Sequence, residues 1–362
     1  MIVKDVTNYL ESIAPLHLQE NYDNSGLIIG DKSQKVNGAL VCLDVNEKVI
    51  DEAISTDCNL VIAHHPLIFS GLKKINPSNY VGRLIIKAIK NNICIYAIHT
   101  NLDNVIYGVN GRISDLIGLK NKSILLKKNS LFKLSVFIPE KHYKNVSESI
   151  FNAGAGELGN YTNCSFSSNG LGTFMANKHA NPYVGKEGVI EHQKEIKFEV
   201  VLPSFLRNKV INAMIKSHPY EEVAYDLISL ENSSNFGSGV VGELEKPINA
   251  EEFLKQIKKI FKVKSLRHTR LLNKPISRVA VCGGSGSFLL ENAIKSSADI
   301  FITSDFKYHQ FFDADDKIIV ADIGHYESEQ FTIDLIADLL MKNFTNFAIR
   351  LTSVNTNPIN YL

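Results

Sequence analysis

Six side chains that could bind a metal ion follow three apolar runs of the sequence. They are His64 and His65, His99 and Asp103, and His325 and Glu329, after residues 60–63, 93–98 and 317–323, respectively. Each run is typical of a buried strand, and ligands of open α/β sheets bind at the carboxyl ends of the strands. One histidine at a strand end is commonly structural, whereas three such ends in one chain are harder to explain by packing. We therefore predict a metal site.

The spacing of these residues favours two ions. His64 and His65 are neighbours on a strand, so their side chains point apart and could each bind one of two adjacent ions. His325 and Glu329 are four residues apart and share a face if a helix begins at His325. Mixed imidazole and carboxylate ligands suit zinc, and also manganese, iron or nickel, but not calcium. The sequence predicts two divalent ions per chain.

Two other motifs contain residues that could bind a metal ion or a phosphate. His218-Pro-Tyr-Glu-Glu222 also has a histidine and a glutamate four apart, but Pro219 disfavours a helix and a structural turn is expected. Gly283-Gly-Ser-Gly286 could hold a phosphate at a helix N-terminus, although it lacks the dinucleotide fingerprint and the Walker lysine. A tight strand-to-helix turn explains it equally well.

Four further side chains have less specific interpretations. Lys73 and Lys74 could meet substrate phosphates, but we expect them to be solvated. Asp305 and His309 could orient the ligands from behind.

Composition limits the class of protein. The 362 residues are 44% hydrophobic and 21% charged with a net charge of +1, which predicts a globular protein of two or three domains without bulk attraction to nucleic acid or membranes. We find neither a signal-peptide core nor an apolar run near the roughly 20 residues of a membrane span. The five cysteines form no Cys-x-x-Cys pair, so we expect a cytoplasmic protein without thiolate zinc sites.

The order of predicted elements indicates an interrupted α/β core. Strands alternate with helices before a lysine-rich connector at 120–130 and again from about residue 242. Between them, residues 131–230 follow the β-α-β-β-α-β order of a ferredoxin-like unit. We predict a layered α/β core of two similar halves, residues 1–127 and 243–362, and an inserted ferredoxin-like α+β domain at 128–242.

An ordered set of motifs resembles one known family. The motifs are Tyr22-Asp-Asn-Ser-Gly-Leu, Ala63-His-His-Pro-Leu-Ile-Phe69, His99-Thr-Asn-Leu-Asp103, Cys282-Gly-Gly-Ser-Gly286 and Gly324-His-Tyr-Glu-Ser-Glu329. They are similar to those of the GTP cyclohydrolase 1 type 2 homologues, or NGG-interacting-factor-like proteins. The middle segment, with its motifs at 179–185 and 218–226, resembles the PII-like or cation-tolerance-like insert of the longer members.

The resemblance implies a ligand set and an assembly. The ligands of the two ions would be His64, His65, Asp103, His325 and Glu329. The resemblance also implies a toroidal homohexamer whose metal sites face an inner cavity. We expect His65 and Asp103 to bind one ion and His64 and His325 to bind the other. Glu329 would bridge the two ions.

The same resemblance suggests a reaction. A metal-bridged hydroxide would attack the imidazole carbon of GTP and open the ring, and formate would leave. His99 could carry protons as a catalytic residue, or it could orient Asp103. GTP or another phosphorylated small molecule is the expected partner besides the chain itself, with no membrane and no nucleic acid. The alternative is a non-enzymatic, metal-binding hexameric regulator or scaffold.

Overall fold

The chain forms two compact units in a computed structural model that describes residues 1–128, 131–232 and 236–362. The first unit comprises Met1–Lys127 and Asn235–Leu362, and the second comprises Lys128–Ser234. The sequence places the second boundary after residue 242, within a strand of the first unit. None of the described helices is long and apolar enough to cross a membrane.

The described residues form the following elements. The helices are α1 (Val3–Ile13), α2 (Glu47–Ser55), α3 (Tyr80–Lys90), α4 (Thr100–Asp103), α5 (Val109–Ile117), α6 (Tyr143–Asn152), α7 (Arg207–Ser217), α8 (Ala250–Ile260), α9 (Leu290–Lys295), α10 (His325–Glu329) and α11 (Thr332–Asn343). The strands are β1 (Gly26–Ile29), β2 (Gly38–Cys42), β3 (Leu60–Ala63), β4 (Cys94–Ala97), β5 (Lys120–Lys127), β6 (Leu131–Pro139), β7 (Ser165–Met175), β8 (Ile190–Pro203), β9 (Tyr225–Ser229), β10 (Gly237–Ile248), β11 (Arg267–His268), β12 (Ile276–Ser285), β13 (Ile300–Ser304), β14 (Ile319–Asp322) and β15 (Ala348–Leu351).

The first unit contains two sheets with a shared pattern. Their strand orders are β1-β4-β3-β2-β15 and β11-β14-β13-β12-β10-β5. In each sheet a short edge strand, β1 or β11, runs antiparallel to its neighbour, and the next three strands are parallel. The order of these four strands along the chain is also the same in both sheets. A mixed α/β fold with two similar sheets results.

The packing of β2 explains its continuous apolar sequence. Ala39 and Val41 lie in a central core that also contains residues of β12 and of helices α1, α5 and α8. Leu40 and Cys42 lie on the other face, against α2 and α3. Because both faces are covered, every residue of the strand is buried. The strand is therefore held rigidly up to its carboxyl end, where the polar side chains begin.

The second unit has one antiparallel sheet and two helices. Its chain order is β6-α6-β7-β8-α7-β9, and its sheet order is β7-β8-β6-β9. Side chains such as Val136 and Phe198 pack against α6 and α7 in its core.

Four strands, β5, β10, β11 and β15, were not predicted from the sequence. Residues 120–127, predicted as a connector, form β5 at the edge of the second sheet, paired with β10. Their lysines are typical of an edge strand, which charge protects from further pairing. Strand β15, which was not predicted, joins the first sheet beside β2 and is mostly exposed.

Candidate metal centre

The carboxyl ends of strands from both sheets of the first unit meet at one cavity. The side chains that follow these ends are Asp44 after β2, His64 and His65 after β3, His99 and Asp103 after β4, Asp305 after β13, and His325 and Glu329 after β14. The helix α10 begins at His325, as the spacing predicts. All five proposed ligands and His99 are brought together here.

Glu329 lies at the centre of this cluster. Its Oε1 is 3.8 Å from Nε2 of His64, which is in turn 3.7 Å from Oδ1 of Asp103. Its Oε2 is 3.0 Å from Nε2 of His65 and 3.1 Å from Nε2 of His325. Each oxygen of Glu329 therefore faces one pair of ligands.

The ligand pairs differ from our initial hypothesis. His64 groups with Asp103, and His65 groups with His325, whose Nε2 atoms are 3.4 Å apart. His65 was expected to pair with Asp103, but the β4 end that carries Asp103 lies on the His64 side. The two adjacent histidines do fall in different pairs, as the alternation of side chains along a strand requires.

Every histidine of the cluster is held in the same way. The Nδ1 atoms of His64, His65, His99 and His325 are 2.8, 2.8, 2.8 and 2.6 Å from Ile98 O, Asp44 Oδ1, Asp23 Oδ1 and Asp305 Oδ2, respectively. Because each of these oxygens accepts a hydrogen bond, the proton of a neutral ring belongs on Nδ1, and its Nε2 lone pair is then available to a metal ion. This is the usual support of a metal-binding imidazole.

The buried polar atoms of the cluster fit a cation. Nε2 of His64 and Oδ1 of Asp103 are buried without a hydrogen-bond partner. His64 is 0% exposed and Glu329 is 3% exposed. Facing acceptors without a donor or a cation between them are costly in a protein interior. The donor set, imidazole nitrogens and carboxylate oxygens, suits a divalent transition metal.

The electrostatics of the protein alone show the same demand for positive charge. Burial opposes protonation of His65, but hydrogen bonds to Asp44 and Glu329 outweigh it and raise its pKa to about 10. Burial and then Asp305 and Glu329 act likewise on His325, whose pKa rises to about 11. The pKa of Glu329 is well below its usual value because the histidines outweigh its burial. Without metal ions, protons on these two imidazoles therefore supply the positive charge.

The glycine motif at the carboxyl end of β12 makes room for two ligands. Gly284 has a φ of +61°, and a Cβ atom there would lie 2.3 Å from Oε1 of Glu329 and 3.3 Å from Cε1 of His325. Its N–H donates to Oγ of Ser328 over 3.0 Å. Residues 283–285 still belong to β12, whose pairing with β13 shifts register there, and this irregular strand end packs against the ligands.

Sequence reasoning did not single out two carboxylates, Asp23 and Asp44. Asp23 lies in the Tyr22-Asp-Asn-Ser-Gly motif, and Asp44 lies near the carboxyl end of the second predicted strand, residues 37–45, so each position was indicated by the sequence. Asp23 also accepts from the backbone N–H of Thr100 over 3.0 Å. Asp23 therefore anchors the ring of His99 through Nδ1.

The remaining candidates lie outside the cluster or behind it. Asp305 supports His325, whereas His309 is exposed and contacts the rings of Tyr308 and Phe312. Lys73 and Lys74 are exposed.

His218 belongs to a turn of the second unit. Its Nε2 is 3.1 Å from the carbonyl of Phe137, and its Nδ1 accepts from the N–H of Tyr220 over 3.1 Å. Burial lowers the pKa of His218. With both ring nitrogens bonded to backbone, His218 has a structural role, as expected.

The cluster lies in a cavity of about 420 Å³. Besides the ligands, its walls include Tyr22, Phe69, Phe288 and Tyr326, and residues 357–359 near the chain end. A cavity of this size is suited to a small molecule.

A mixed α/β protein in which two similar sheets present histidines and carboxylates to one cavity is a candidate metal-binding protein. The chain belongs to the Duf34/NIF3 (NGG1p interacting factor 3) family, whose model matches residues 1–358.

Curated relatives match along the whole chain. A "GTP cyclohydrolase 1 type 2 homolog" of Halalkalibacterium halodurans is 40% identical over 99% of this chain and 98% of its own length. The Bacillus subtilis protein of the same name is 36% identical, with the same coverage.

Solved structures show the same likeness. A Bacillus cereus protein related to NIF3 is 35% identical with a TM-score of 0.69, and a Staphylococcus aureus protein is 30% identical with a TM-score of 0.77. In both comparisons the match covers 100% of this chain and 99% of the other.

Proposed function

We propose that this protein is a hydrolase that uses two divalent metal ions to open the imidazole ring of GTP. One water would add to the ring carbon between the two nitrogens, a ring C–N bond would break to leave a formamide, and a second water would release formate. The observation that carries the proposal is Glu329, whose two oxygens each face a separate pair of ligands. The naming of the relatives supports the reaction class.

The ligands would form two sets, one for each ion. His64 and Asp103 would hold one, His65 and His325 the other, and Glu329 would contact both. Zinc is our first choice, with manganese, iron and nickel as alternatives. When bound, two such ions would activate water near neutral pH and stabilise negative charge that develops on the substrate.

His99 is the residue we propose for proton transfer. Its ring centroid is 5.2 Å from that of His64 and 5.3 Å from that of His65, so it borders the ligands. The hydrogen bond from Nδ1 to Asp23 leaves the Nε2 lone pair to accept a proton from a reacting water and return it to a leaving nitrogen. Asp23 would stabilise the protonated ring, since its own pKa is lowered by His99 and Thr100 despite burial.

The test combines metal content with turnover. Protein purified with metal should contain two ions per chain and release formate from GTP. Glu329→Gln should abolish both, whereas Glu291→Gln, at an exposed glutamate of α9 paired with Lys295, should change neither. Less than one ion per chain would refute the metal centre. Two ions without turnover of any nucleotide or phosphoester would favour the non-enzymatic regulator or scaffold.

We also propose that the second unit is a ferredoxin-like, PII-like domain and that the chain assembles as a homohexamer. The β-α-β-β-α-β order and the sheet order β7-β8-β6-β9 support the first part. Light scattering of the purified protein should give the mass of six chains. A smaller particle across the micromolar range would contradict the assembly.

A further inference from the structure

Exposed aromatic rings surround the cavity of the metal centre. Tyr22, Phe69 and Phe288 line it and are 69%, 53% and 59% exposed, respectively. They come from three separate places in the chain: the turn before β1, the loop after β3 and the turn after β12. Single exposed aromatic rings are common on protein surfaces, but three around one cavity indicate a surface that binds a ligand. Phe69 also contacts the ring of His99, with centroids 5.8 Å apart.

The same cavity is acidic. Its described lining residues include Glu20, Asp44, Asp103 and Glu329, and none of those described is a lysine or an arginine. The two lysines that the sequence offered as phosphate ligands are exposed and do not line the cavity.

The charge balance of the cavity disfavours binding of a polyphosphate even when two divalent ions are included. Six carboxylates lie at or directly behind the cavity, namely Glu20, Asp23, Asp44, Asp103, Asp305 and Glu329. Four positive charges from the ions, with neutral histidines, do not exceed the six negative charges of these residues. A triphosphate would add about four more negative charges without gaining a basic side chain. Proteins that recognise phosphate usually supply arginine, lysine or helix N-termini.

We propose that the cavity recognises its substrate through an uncharged aromatic heterocycle and does not bind the phosphate groups. This inference rests on the proposed function, because it names the part of the substrate that the same site selects. The exposed rings would stack on the faces of the heterocycle, as aromatic side chains do with nucleobases. The phosphates of a nucleotide, where present, would remain in solvent, and a nucleoside would serve as well as a nucleotide.

Binding measurements test this without requiring turnover. Protein loaded with metal, in a buffer that holds the free metal concentration constant, is titrated with guanosine, GTP and inorganic triphosphate. We expect guanosine and GTP to bind within about threefold of each other, and triphosphate not to compete. Raising the salt tenfold should change either affinity less than about twofold. Competition by triphosphate, or GTP binding more than tenfold tighter than guanosine, would overturn the proposal.

Ring variants provide the second arm. Tyr22→Ala and Phe288→Ala should each weaken guanosine binding about tenfold. Because both side chains are exposed, neither substitution should change the unfolding temperature, which excludes misfolding as the cause. Tyr80→Ala is the matched control, because Tyr80 is 62% exposed at the start of α3 and does not line the cavity. If both ring variants bind guanosine like the unaltered protein, the proposal is wrong.

The two proposals fail separately. Guanosine binding with this profile but without formate release would support the selectivity and contradict only the ring-opening reaction. Formate release from GTP with a kcat/KM more than tenfold above that for guanosine would support the reaction and contradict the selectivity. Binding of neither guanosine nor GTP to the loaded protein would overturn the selectivity as well.

Discussion

At the scale of single residues, the oxygens behind the histidines matter as much as the ligands. Asp44 and Asp305 lie behind His65 and His325, respectively, and each follows the strand next to the one that carries its histidine. Each keeps the proton on Nδ1 and the ring in one orientation. Asp44 is itself fixed, since it accepts a hydrogen bond from Oγ1 of Thr356 over 2.8 Å.

Replacement of Asp44 should therefore affect metal affinity more than folding. We expect Asp44→Asn to weaken metal binding about 10- to 100-fold, because the imidazole of His65 becomes less basic and less well oriented. Competition with a coloured chelator measures the change. Asp51→Asn is the control, at an exposed carboxylate paired with Lys87. An unchanged affinity of the Asp44 variant would show that Asp44 gives no support to the ligand.

Metal binding should release protons. Without metal, His65 and His325 have pKa values of about 10 and 11, so both rings are protonated at neutral pH. A metal ion must displace these protons, and affinity should rise with pH until it passes the two pKa values. Calorimetry at pH 7 in buffers of different ionisation heats should find about two protons released per chain. Release of none would mean that the rings are already neutral.

Most residues of the cluster could be predicted from the sequence, but Asp23 and Asp44, which support histidines from behind, were missed. His64, His65, His325 and Glu329 stand next to, or one helical turn from, another ligand. Asp23 and Asp44 are single carboxylates whose histidines are 76 and 21 residues away. Only the fold brings each of them to its partner.

At the scale of elements, the repeated strand order explains the site. Three parallel strands in each sheet end at the same cavity, so both sheets supply side chains to the site. The alternation of strands and helices predicted this core. The edge strands β5 and β15 were missed because one is lysine-rich, the other is four residues long, and each pairs with a distant part of the chain.

The need for glycine at the end of β12 can be tested by adding one methyl group. Gly284→Ala should push Glu329 aside, reduce metal content and lower the free energy of unfolding by about 1–3 kcal/mol, from contact and from the positive φ together. Gly118→Ala is the control, since its φ is +86° and nothing lies within 4 Å of the added atom. That variant should lose only about 1–2 kcal/mol and keep its metal. Full metal content in the Gly284 variant would contradict the need for close approach.

The turn at His218 should matter only for stability. His218→Ala removes two buried hydrogen bonds to backbone and should lower the unfolding free energy of the second unit by about 1–3 kcal/mol. Metal content should stay the same. His192→Ala, at an exposed position of β8, is the control for both measurements. Loss of metal from the His218 variant would mean that this motif also contributes ligands.

At the scale of the whole molecule, the ions would connect two distant segments of the chain. Ligands come from Met1–Lys127 and from Asn235–Leu362. A ligand that binds only the folded state stabilises it, by about 2.7 kcal/mol at 100 times its Kd. Chelation should therefore lower the unfolding temperature of the first unit, and added zinc should restore it. An unfolding temperature that does not depend on metal would contradict the centre.

Composition and element order predicted the α/β class of the molecule. The ferredoxin-like character of the middle segment and the hexamer stay predictions, because they were inferred from element order and resemblance.

The separation of the ligands also sets an order of events during synthesis. His65 and His325 are 260 residues apart, with the whole second unit encoded between them. A nascent chain would expose the first histidines long before Glu329 leaves the ribosome. The whole site can therefore form only after Glu329 has been synthesised, and a product that terminates before it, even after the second unit, would have half a site without this carboxylate.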